Sequence, residues 1–203
     1  MKKSVFKSEK LGNLGPIFSG IRTSYIKPDD GSGDIVVRIS NWKNLKDIKN
    51  NTKFNPITEF KINSQKLYKR EYGIIEKDTI IFFALPSLNE ENIIYIDKNL
   101  EEKNLCGDNM FIFKNKSNIP SKYIFMVLNT GLYNDYIKFW KAGYNHKLKI
   151  SMLSEIEIPI LDDAEKLTDE YFNIQNSKKE ILKTEDEFNM ELYKKAKSTL
   201  LLS

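Results

Sequence analysis

The sequence predicts an α+β fold, with a globular head of mixed β-sheet and helices followed by one long C-terminal helix of the coiled-coil type. Three observations support this prediction. Short β-branched segments dominate residues 34–113, two helical patterns follow within residues 119–140, and no Pro or Gly occurs from Asp162 onward. Strands gathered before helices are typical of α+β proteins. The chain is therefore divided into a head, residues 1–161, and an arm, residues 162–203.

Strands are predicted in the head wherever β-branched and aromatic residues are concentrated between turn residues. The head begins with a turn at residues 11–16 and a short apolar segment at residues 17–21. The predicted strands cover residues 34–40, 79–83, 92–96, 109–113 and 156–160, and residues 74–75 precede a predicted turn at residues 76–78. The last of these alternates Ile with polar residues and contains Pro159, which indicates an edge strand.

Two helices are predicted between the last two of these strands. The first begins near Pro120, because proline suits the first turn of a helix. Gly131 separates it from a second helix at residues 133–140.

Apolar residues of the arm recur at heptad spacing. They are separated by steps of 4, 3, 7, 7 and 4, and we predict that they form a dimerisation seam: Leu167, Tyr171, Ile174, Ile181, Phe188 and Leu192. A helix of this length reaches about 60 Å. Because Lys178 and Glu185 occupy a positions, the arm is expected to pack on other protein as well as on a partner helix. A helix folded back on its own head is the alternative.

Charge and composition limit the classes of protein to which the chain can belong. The arm carries ten acids and seven bases, whereas the head carries 25 bases and 18 acids. A basic head favours a polyanionic partner, although an excess of this size is also within ordinary variation. The single Cys excludes a disulfide framework and a Cys-based zinc cluster, and the single His excludes two-His metal sites.

Neither a signal peptide nor a membrane span is indicated by the sequence. Polar and charged residues interrupt the basic N-terminus at once, and no run of about 18 apolar residues occurs. We therefore expect a cytoplasmic protein with no membrane association.

Several segments, in this order and spacing, resemble the target-recognition half of the specificity subunit of type I restriction-modification systems. They are Leu11-Gly12-Asn13-Leu14, Phe18-Ser19-Gly20, Val36-Val37-Arg38-Ile39 with Asn41, Ile75-Glu76-Lys77-Asp78-Thr79-Ile80-Ile81, Asn109-Met110-Phe111-Ile112-Phe113 and Ile119-Pro120-Ser121-Lys122-Tyr123-Ile124. The best match is Leu153-Ser154-Glu155-Ile156-Glu157-Ile158-Pro159-Ile160, which is similar to the family's strand before its spacer helix.

The chain departs from the family pattern in three ways. Lys77 stands where the family has Gly, and Asp162-Asp163-Ala164-Glu165 stands where the family often has Gln. A usual specificity subunit also contains two recognition domains and two spacer helices, whereas this chain has one of each. It therefore looks like a half-subunit.

The resemblance implies a non-catalytic chain that recognises a DNA sequence. It implies pairing of two copies through the arm, as a homodimer, to read a bipartite inverted-repeat site. The implied partners are double-stranded DNA, DNA methyltransferase (modification) subunits and, in addition, restriction subunits. No cofactor is expected on this chain, and S-adenosylmethionine is expected on the methyltransferase subunits. The alternative is a protein-interaction adaptor with a coiled-coil arm and no DNA role.

Catalytic patterns are weak or missing, in agreement with that implication. Asn55-Pro56-Ile57 does not fit the Asn/Asp-Pro-Pro-aromatic pattern of adenine methyltransferases, and no phosphate-binding glycine loop precedes a helix. A dyad of Cys106 and His146 is disfavoured, because neither residue lies in a supporting motif.

Three segments of the head carry the donors and cations that DNA reading requires. They contain the predicted DNA-binding residues Arg22, Thr23 and Tyr25; Arg38, Asn41 and Lys43; and Tyr144, Asn145, His146, Lys147 and Lys149. Arginine pairs with guanine and asparagine with adenine, while lysines and hydroxyls hold phosphates. For Arg22 and His146, an ordinary solvated position is an equal alternative.

Overall fold

The structure is a computed structural model that describes residues 7–21, 35–40, 58–62, 73–84, 92–99, 104–142 and 148–200. The chain divides into two compact units, Met1–Leu161 and Asp162–Ser203. The predicted α+β class is confirmed, because strands and short helices form the first unit and one long helix forms most of the second.

The described part of the head contains ten strands. They are β1 (Lys7–Lys10), β2 (Ile17–Ser19), β3 (Ile35–Ser40), β4 (Thr58–Ile62), β5 (Ile74–Ile75), β6 (Thr79–Phe83), β7 (Ile93–Ile96), β8 (Asn104–Cys106), β9 (Met110–Lys114) and β10 (Glu157–Ile160). The helices are α1 (Leu11–Leu14), α2 (Ser121–Val127), α3 (Tyr133–Ala142) and α4 (Ile150–Ser154). The arm contains α5 (Ala164–Leu200).

These strands form three sheets. The first has the order β2-β9-β6-β7 and is antiparallel throughout. The second has the order β4-β3-β8-β5, in which β3 and β8 run parallel. The third pairs β1 with β10, so that Lys7 lies opposite Ile160 and Ser8 opposite Pro159. Among the described strands of the head, the first in sequence is therefore held against the last.

One apolar core joins the two four-stranded sheets. Its buried members come from alternate positions of β6, β7 and β9 in the first sheet and from β5 and β8 in the second: Ile81, Ile94, Ile96, Met110, Ile112, Ile75 and Cys106. Successive side chains of a strand point to opposite faces of the sheet. The remaining positions of the first sheet therefore face away from this core.

Helices α2 and α3 cover that other face of the first sheet. The ring of Phe82 meets that of Tyr133 edge-on at 5.3 Å, and Tyr95 stacks on Phe125 at 5.6 Å. A strand buried on both faces is expected to be continuously apolar. This explains why β6, with the sequence Thr-Ile-Ile-Phe-Phe, shows no alternation of polar and apolar residues.

The break between α2 and α3 lies at Gly131, as predicted. The helical path is kinked within residues Leu128–Leu132, where Gly131 has a non-helical φ of 110°. Only glycine adopts this backbone conformation without strain. The path of the chain therefore changes at this residue.

Two local predictions for the head are wrong. The segment predicted as a turn at residues 11–16 contains helix α1, because Leu11 and Leu14 are three residues apart and both bury their side chains. The resemblance also treated the residues before β10 as part of a strand, but Ile150–Ser154 form helix α4, which buries Leu153.

The turn between β5 and β6 explains why Lys77 can stand where the family that the sequence resembles has glycine. Asp78, and not Lys77, has a positive φ of 64°. The Asp78 carboxylate accepts a hydrogen bond from the hydroxyl of Tyr95, and the backbone N–H of Asp78 donates to the carbonyl of Ile96 at 2.8 Å. Lys77 is exposed. The change from glycine to Lys77 therefore lies at a turn position where the side chain is exposed and the backbone does not require glycine.

Two buried tyrosines are expected to respond in opposite ways to removal of the hydroxyl. The Tyr123 hydroxyl donates to the carbonyl of Pro159 at 2.7 Å, whereas that of Tyr133 has no hydrogen-bond partner among the described residues. An unpaired buried polar group costs about 1–3 kcal/mol. Tyr133→Phe should therefore raise the free energy of unfolding by about 1 kcal/mol, and Tyr123→Phe should lower it by about as much.

Urea unfolding of both variants measures this difference, with an unchanged slope as the sign that only stability has changed. Equal losses in the two variants would contradict the assignment of an unpaired hydroxyl to Tyr133.

Candidate nucleic-acid interface

Backbone segments that are distant in sequence meet at the turn between β8 and β9. The N–H of Ile21 donates to the carbonyl of Cys106 at 2.8 Å, and Ile21 also bridges to Gly107. Ser40, the last residue of β3, lies opposite Cys106. The N–H of Ala84 donates to the carbonyl of Asn109 at 2.7 Å. We name this region, residues 106–109 with the residues bonded to them, the β8–β9 edge.

A further segment is attached to the same edge through Ala84. The N–H of Leu148 donates to the carbonyl of Ala84 at 2.9 Å, and the Leu148 side chain is buried. Lys149 follows directly and is exposed. The start of α4 is therefore fixed to the β8–β9 edge by a backbone hydrogen bond.

Two backbone segments of the chain approach each other very closely at this edge. A Cβ atom added to Gly20 would lie 1.9 Å from the carbonyl oxygen of Gly107. Asn109 has a φ of 68°, a left-handed conformation that asparagine adopts more readily than most residues. The Phe18-Ser19-Gly20 motif is therefore explained by backbone packing, and its glycine is a structural requirement.

The three predicted DNA-reading segments are flanked by residues of the β8–β9 edge. Ile21 directly precedes the first segment, Ser40 is followed by Asn41 in the second, and Leu148 lies between Lys147 and Lys149 in the third. The structure thus brings together three flanking residues that the sequence separates widely. Any side chains that extend from these flanks start from a common edge of the head.

The predicted site residues themselves are only partly described. Lys149 is exposed beside the edge, and Arg38 lies within β3, where its backbone is opposite Glu59 and Asn104. The other predicted DNA-binding residues lie outside the described residues: Arg22, Thr23, Tyr25, Asn41, Lys43, Tyr144, Asn145, His146 and Lys147. Their contact with DNA stays a prediction.

The sequence did not predict that distant segments would meet at the turn formed by residues 106–109. Its exposed residue Asp108 and the exposed Lys149 give the described part of the edge charges of both signs. The residues Gly107-Asp108-Asn109 between two apolar segments are a recognisable turn signal. That signal locates a turn, but it does not indicate which distant segments the turn will contact.

Cys106 has none of the properties of a nucleophilic thiol. Its side chain is fully buried in the core between the sheets, and this burial raises its pKa because the thiolate loses hydration. Reactive cysteines have the opposite property, a lowered pKa with solvent access. Within the described residues, no group of three or more His, Cys, Asp or Glu side chains is arranged to hold a metal ion.

Cys106 is therefore expected to react with a disulfide reagent at pH 8 at least about 100-fold more slowly in the native protein than in urea. The absorbance of the released thiol gives both rates, and Cys106→Ser controls for any other source of signal. A native rate similar to that of free cysteine would contradict this burial.

The predicted dimerisation seam lies along helix α5. Ile174, Ile181 and Phe188 are exposed by 56, 65 and 61% in the single chain. Leu167 and Tyr171 are partly buried, and Leu192 is on the helix but its side chain lies outside the described residues. Their pairing with a second chain stays a prediction.

Two more exposed apolar side chains on α5 were not predicted. Leu182 and Met190 are exposed by 59 and 58%. Leu182 borders the seam at an e position, whereas Met190 is at an f position on the far side of the helix. A strict heptad pattern omits both positions, so the sequence pattern did not predict them.

Comparisons with solved structures place this arrangement among known folds. No family model matches the chain, and no curated protein matches it. A chain from a structure that describes complex assembly and conformational transition of the type I R-M system matches with 11% identity and a TM-score of 0.59, over 90% of this chain and 45% of that one. The HsdS subunit from Thermoanaerobacter tengcongensis matches with 12% identity and a TM-score of 0.53, over 88 and 44%. The chain has the fold of a type I specificity subunit.

The specificity-subunit fold was expected from the resemblance of short motifs, and the structural comparison confirms it. The type I S subunit from M. genitalium also matches, at 15% identity and a TM-score of 0.46, over 88% of this chain and 44% of that one. The chain spans less than half the length of each of the three matched chains. Across the described residues, no helix combines the length and the hydrophobicity that crossing a bilayer requires.

Proposed function

We propose that this chain is a non-catalytic DNA-recognition subunit of a type I-like restriction-modification complex. One observation carries the proposal: in a head with the fold of a specificity subunit, the flanks of all three donor-rich segments meet at the β8–β9 edge. Loops that leave a common edge can enter one groove of DNA together. Residues from separate parts of the sequence would then read neighbouring base pairs.

Recognition would divide between two kinds of contact. Lys147 and Lys149 would hold phosphates and fix the orientation of the head on the duplex. Arg22 and Asn41 would reach base edges in the major groove, where a bidentate contact contributes about 1–3 kcal/mol of discrimination. Neither kind of contact breaks a covalent bond, so catalysis would belong to other subunits.

The arm would join two recognition heads. Two copies paired through the seam of α5 form a symmetric dimer, and a symmetric dimer recognises an inverted repeat. We therefore propose a bipartite site with an unspecified gap. Methyltransferase subunits would bind this dimer and bring S-adenosylmethionine, and restriction subunits would join the same complex. A rival form of this proposal pairs the arm with an unlike half-subunit, which mixing the two halves and measuring complex formation would detect.

The salt dependence of DNA binding tests the proposal, with the methyltransferase subunits present. Each phosphate contact contributes about −0.9 to the slope of log affinity against log salt. Lys149→Gln is expected to reduce the size of this slope by about one. Lys116→Gln is the matched control, because Lys116 is also exposed but follows β9 at the end away from the β8–β9 edge.

A protein-interaction adaptor is the second candidate function, and the exposure of Ile174, Ile181 and Phe188 favours it. An adaptor needs no phosphate contacts. If the complexes do not bind DNA, or bind it with an affinity that does not change with salt, the result would therefore favour the adaptor over DNA recognition.

A further inference from the structure

Asp108 lies in the turn on which the β8–β9 edge is built. A backbone hydrogen bond from the N–H of Ile21 holds the start of this turn at 2.8 Å, and one from the N–H of Ala84 holds its end at 2.7 Å. Ile21 leads into the first donor-rich segment, and Ala84 also holds Leu148 of the third segment. Asp108 is therefore placed between the origins of these two segments.

Asp108 is exposed, and its carboxylate is unpaired. Among the residues that the structure describes, no group donates a hydrogen bond to this carboxylate or forms an ion pair with it. Aspartate in a turn commonly accepts a hydrogen bond from a nearby backbone N–H, and the described N–H groups make no such bond here. The left-handed position of the turn belongs to Asn109, with a φ of 68°. The described contacts of the turn therefore do not require a carboxylate at position 108.

A carboxylate is poorly suited to the DNA backbone but well suited to one kind of base edge. When ionised it only accepts hydrogen bonds, so it is repelled by phosphate oxygens and finds no donor on the backbone. The donors in the major groove are the amino groups at N4 of cytosine and N6 of adenine. Adenine places the N7 acceptor beside N6, which suits an amide side chain, whereas cytosine presents only a donor. The chemistry of Asp108 therefore matches cytosine.

We propose that Asp108 is a specificity-determining residue that accepts a hydrogen bond from N4 of a cytosine in the major groove. This inference rests on the DNA recognition proposed above, and it adds one base to those that the head would read. The hydrogen bonds at both ends of the turn fix the backbone of this short side chain, as a precise contact requires. Opposite a base without an amino group the carboxylate has no donor, which disfavours the wrong sequence.

Selection of binding sites from random DNA duplexes tests the inference, with the full chain and the methyltransferase subunits present. The original complex is expected to select cytosine at one position of each half-site that this chain reads. Replacing that cytosine by thymine should weaken binding by about tenfold. Asp108→Ala should reduce this penalty to within about twofold and leave the rest of the selected site unchanged. Asp108→Asn should shift the preference towards adenine, because an amide both donates and accepts.

Two further measurements separate base reading from other roles of a charged residue. Neither variant of Asp108 should reduce the salt slope of DNA binding, because no phosphate contact is lost. Asp97→Asn is the matched control, since Asp97 is also exposed but follows β7 at the end of the first sheet away from the β8–β9 edge. This control should select the original site. All three variants should keep the melting temperature within about 2 °C, as expected for exposed residues.

The results distinguish failure of this inference from failure of the function on which it rests. If the original complex selects a defined site and Asp108→Ala selects the same one, DNA recognition stands and the role of Asp108 is overturned. Loss of preference at every position at once also overturns it, because Asp108 would then act only on the structure of the edge. An original complex that binds DNA without selecting any sequence overturns the proposed recognition and this inference together.

Discussion

Alanine at position 20 is expected to destabilise the head by about 3 kcal/mol or more, because its Cβ atom would lie 1.9 Å from the carbonyl oxygen of Gly107. That atom belongs to the backbone, and the N–H of Gly20 is itself held by the carbonyl of Met110 at 2.9 Å. Neither segment can move away without breaking hydrogen bonds at the β8–β9 edge. For a chain of this size, the expected fall in melting temperature is about 10 °C.

Two control variants separate steric overlap from other effects of alanine. Ser19→Ala changes an exposed neighbour of Gly20 and should leave the melting temperature nearly unchanged. Gly131→Ala meets no atom within 4 Å, but it forces alanine to a φ of 110°, which costs about 1–2 kcal/mol. A Gly20→Ala variant that is as stable as Ser19→Ala would show that the two backbones do not approach as described.

The position of Gly20 also connects stability with function. Gly20 directly precedes Ile21, from which the first predicted DNA-reading segment begins. A variant that separates β2 from the β8–β9 edge would lose the common origin of the three segments. We therefore expect a Gly20→Ala protein to lose sequence-specific DNA binding at temperatures where the rest of the head is still folded.

Placing glutamate at both Ile181 and Phe188 is expected to abolish pairing of the arm, with an increase of at least about 100-fold in the dimer dissociation constant. Both side chains are large, apolar and more than half exposed in the single chain. In the proposed dimer each would be buried against the second helix, and burying one such side chain contributes about 1.5–3 kcal/mol. Glutamate keeps a good helix propensity, so the helix itself should persist.

Met190→Glu is the matched control for this pair. Met190 is exposed by 58%, close to the exposure of Phe188, but it lies on the opposite side of the helix. Sedimentation equilibrium should give an unchanged dissociation constant for this variant. Equal loss of pairing from Met190→Glu would indicate that the heptad seam is not the contact face, and a dimer that survives both seam substitutions would indicate that pairing occurs elsewhere.

Local patterns predicted the long elements of this fold correctly. The arm was predictable because heptad spacing, and the lack of Pro and Gly, persist over many turns of helix α5. Strands β6, β7 and β9 were predictable because each is four or five residues long and strongly apolar. In these segments the local preference and the final environment agree.

Short elements were not predictable, because they depend on distant partners. Strand β8 has only three residues, Asn104–Cys106, and becomes a strand because it lies between β3 and β5. Strand β1, with the sequence Lys-Ser-Glu-Lys, has no apolar residue and is exposed along most of its length. It is defined by its pairing with β10, which lies near the other end of the head.

The sequence by itself determined the class of fold and the position of the arm, and it predicted a heptad face for pairing, because these follow from patterns along continuous segments. Only the tertiary structure decided that the flanks of three separate donor-rich segments meet at residues 106–109. That meeting depends on backbone hydrogen bonds between distant residues and on the small volume of Gly20. The physical reason is that a side-chain pattern reports on structure within a few residues, whereas a shared edge depends on how sheets formed by distant residues pack together.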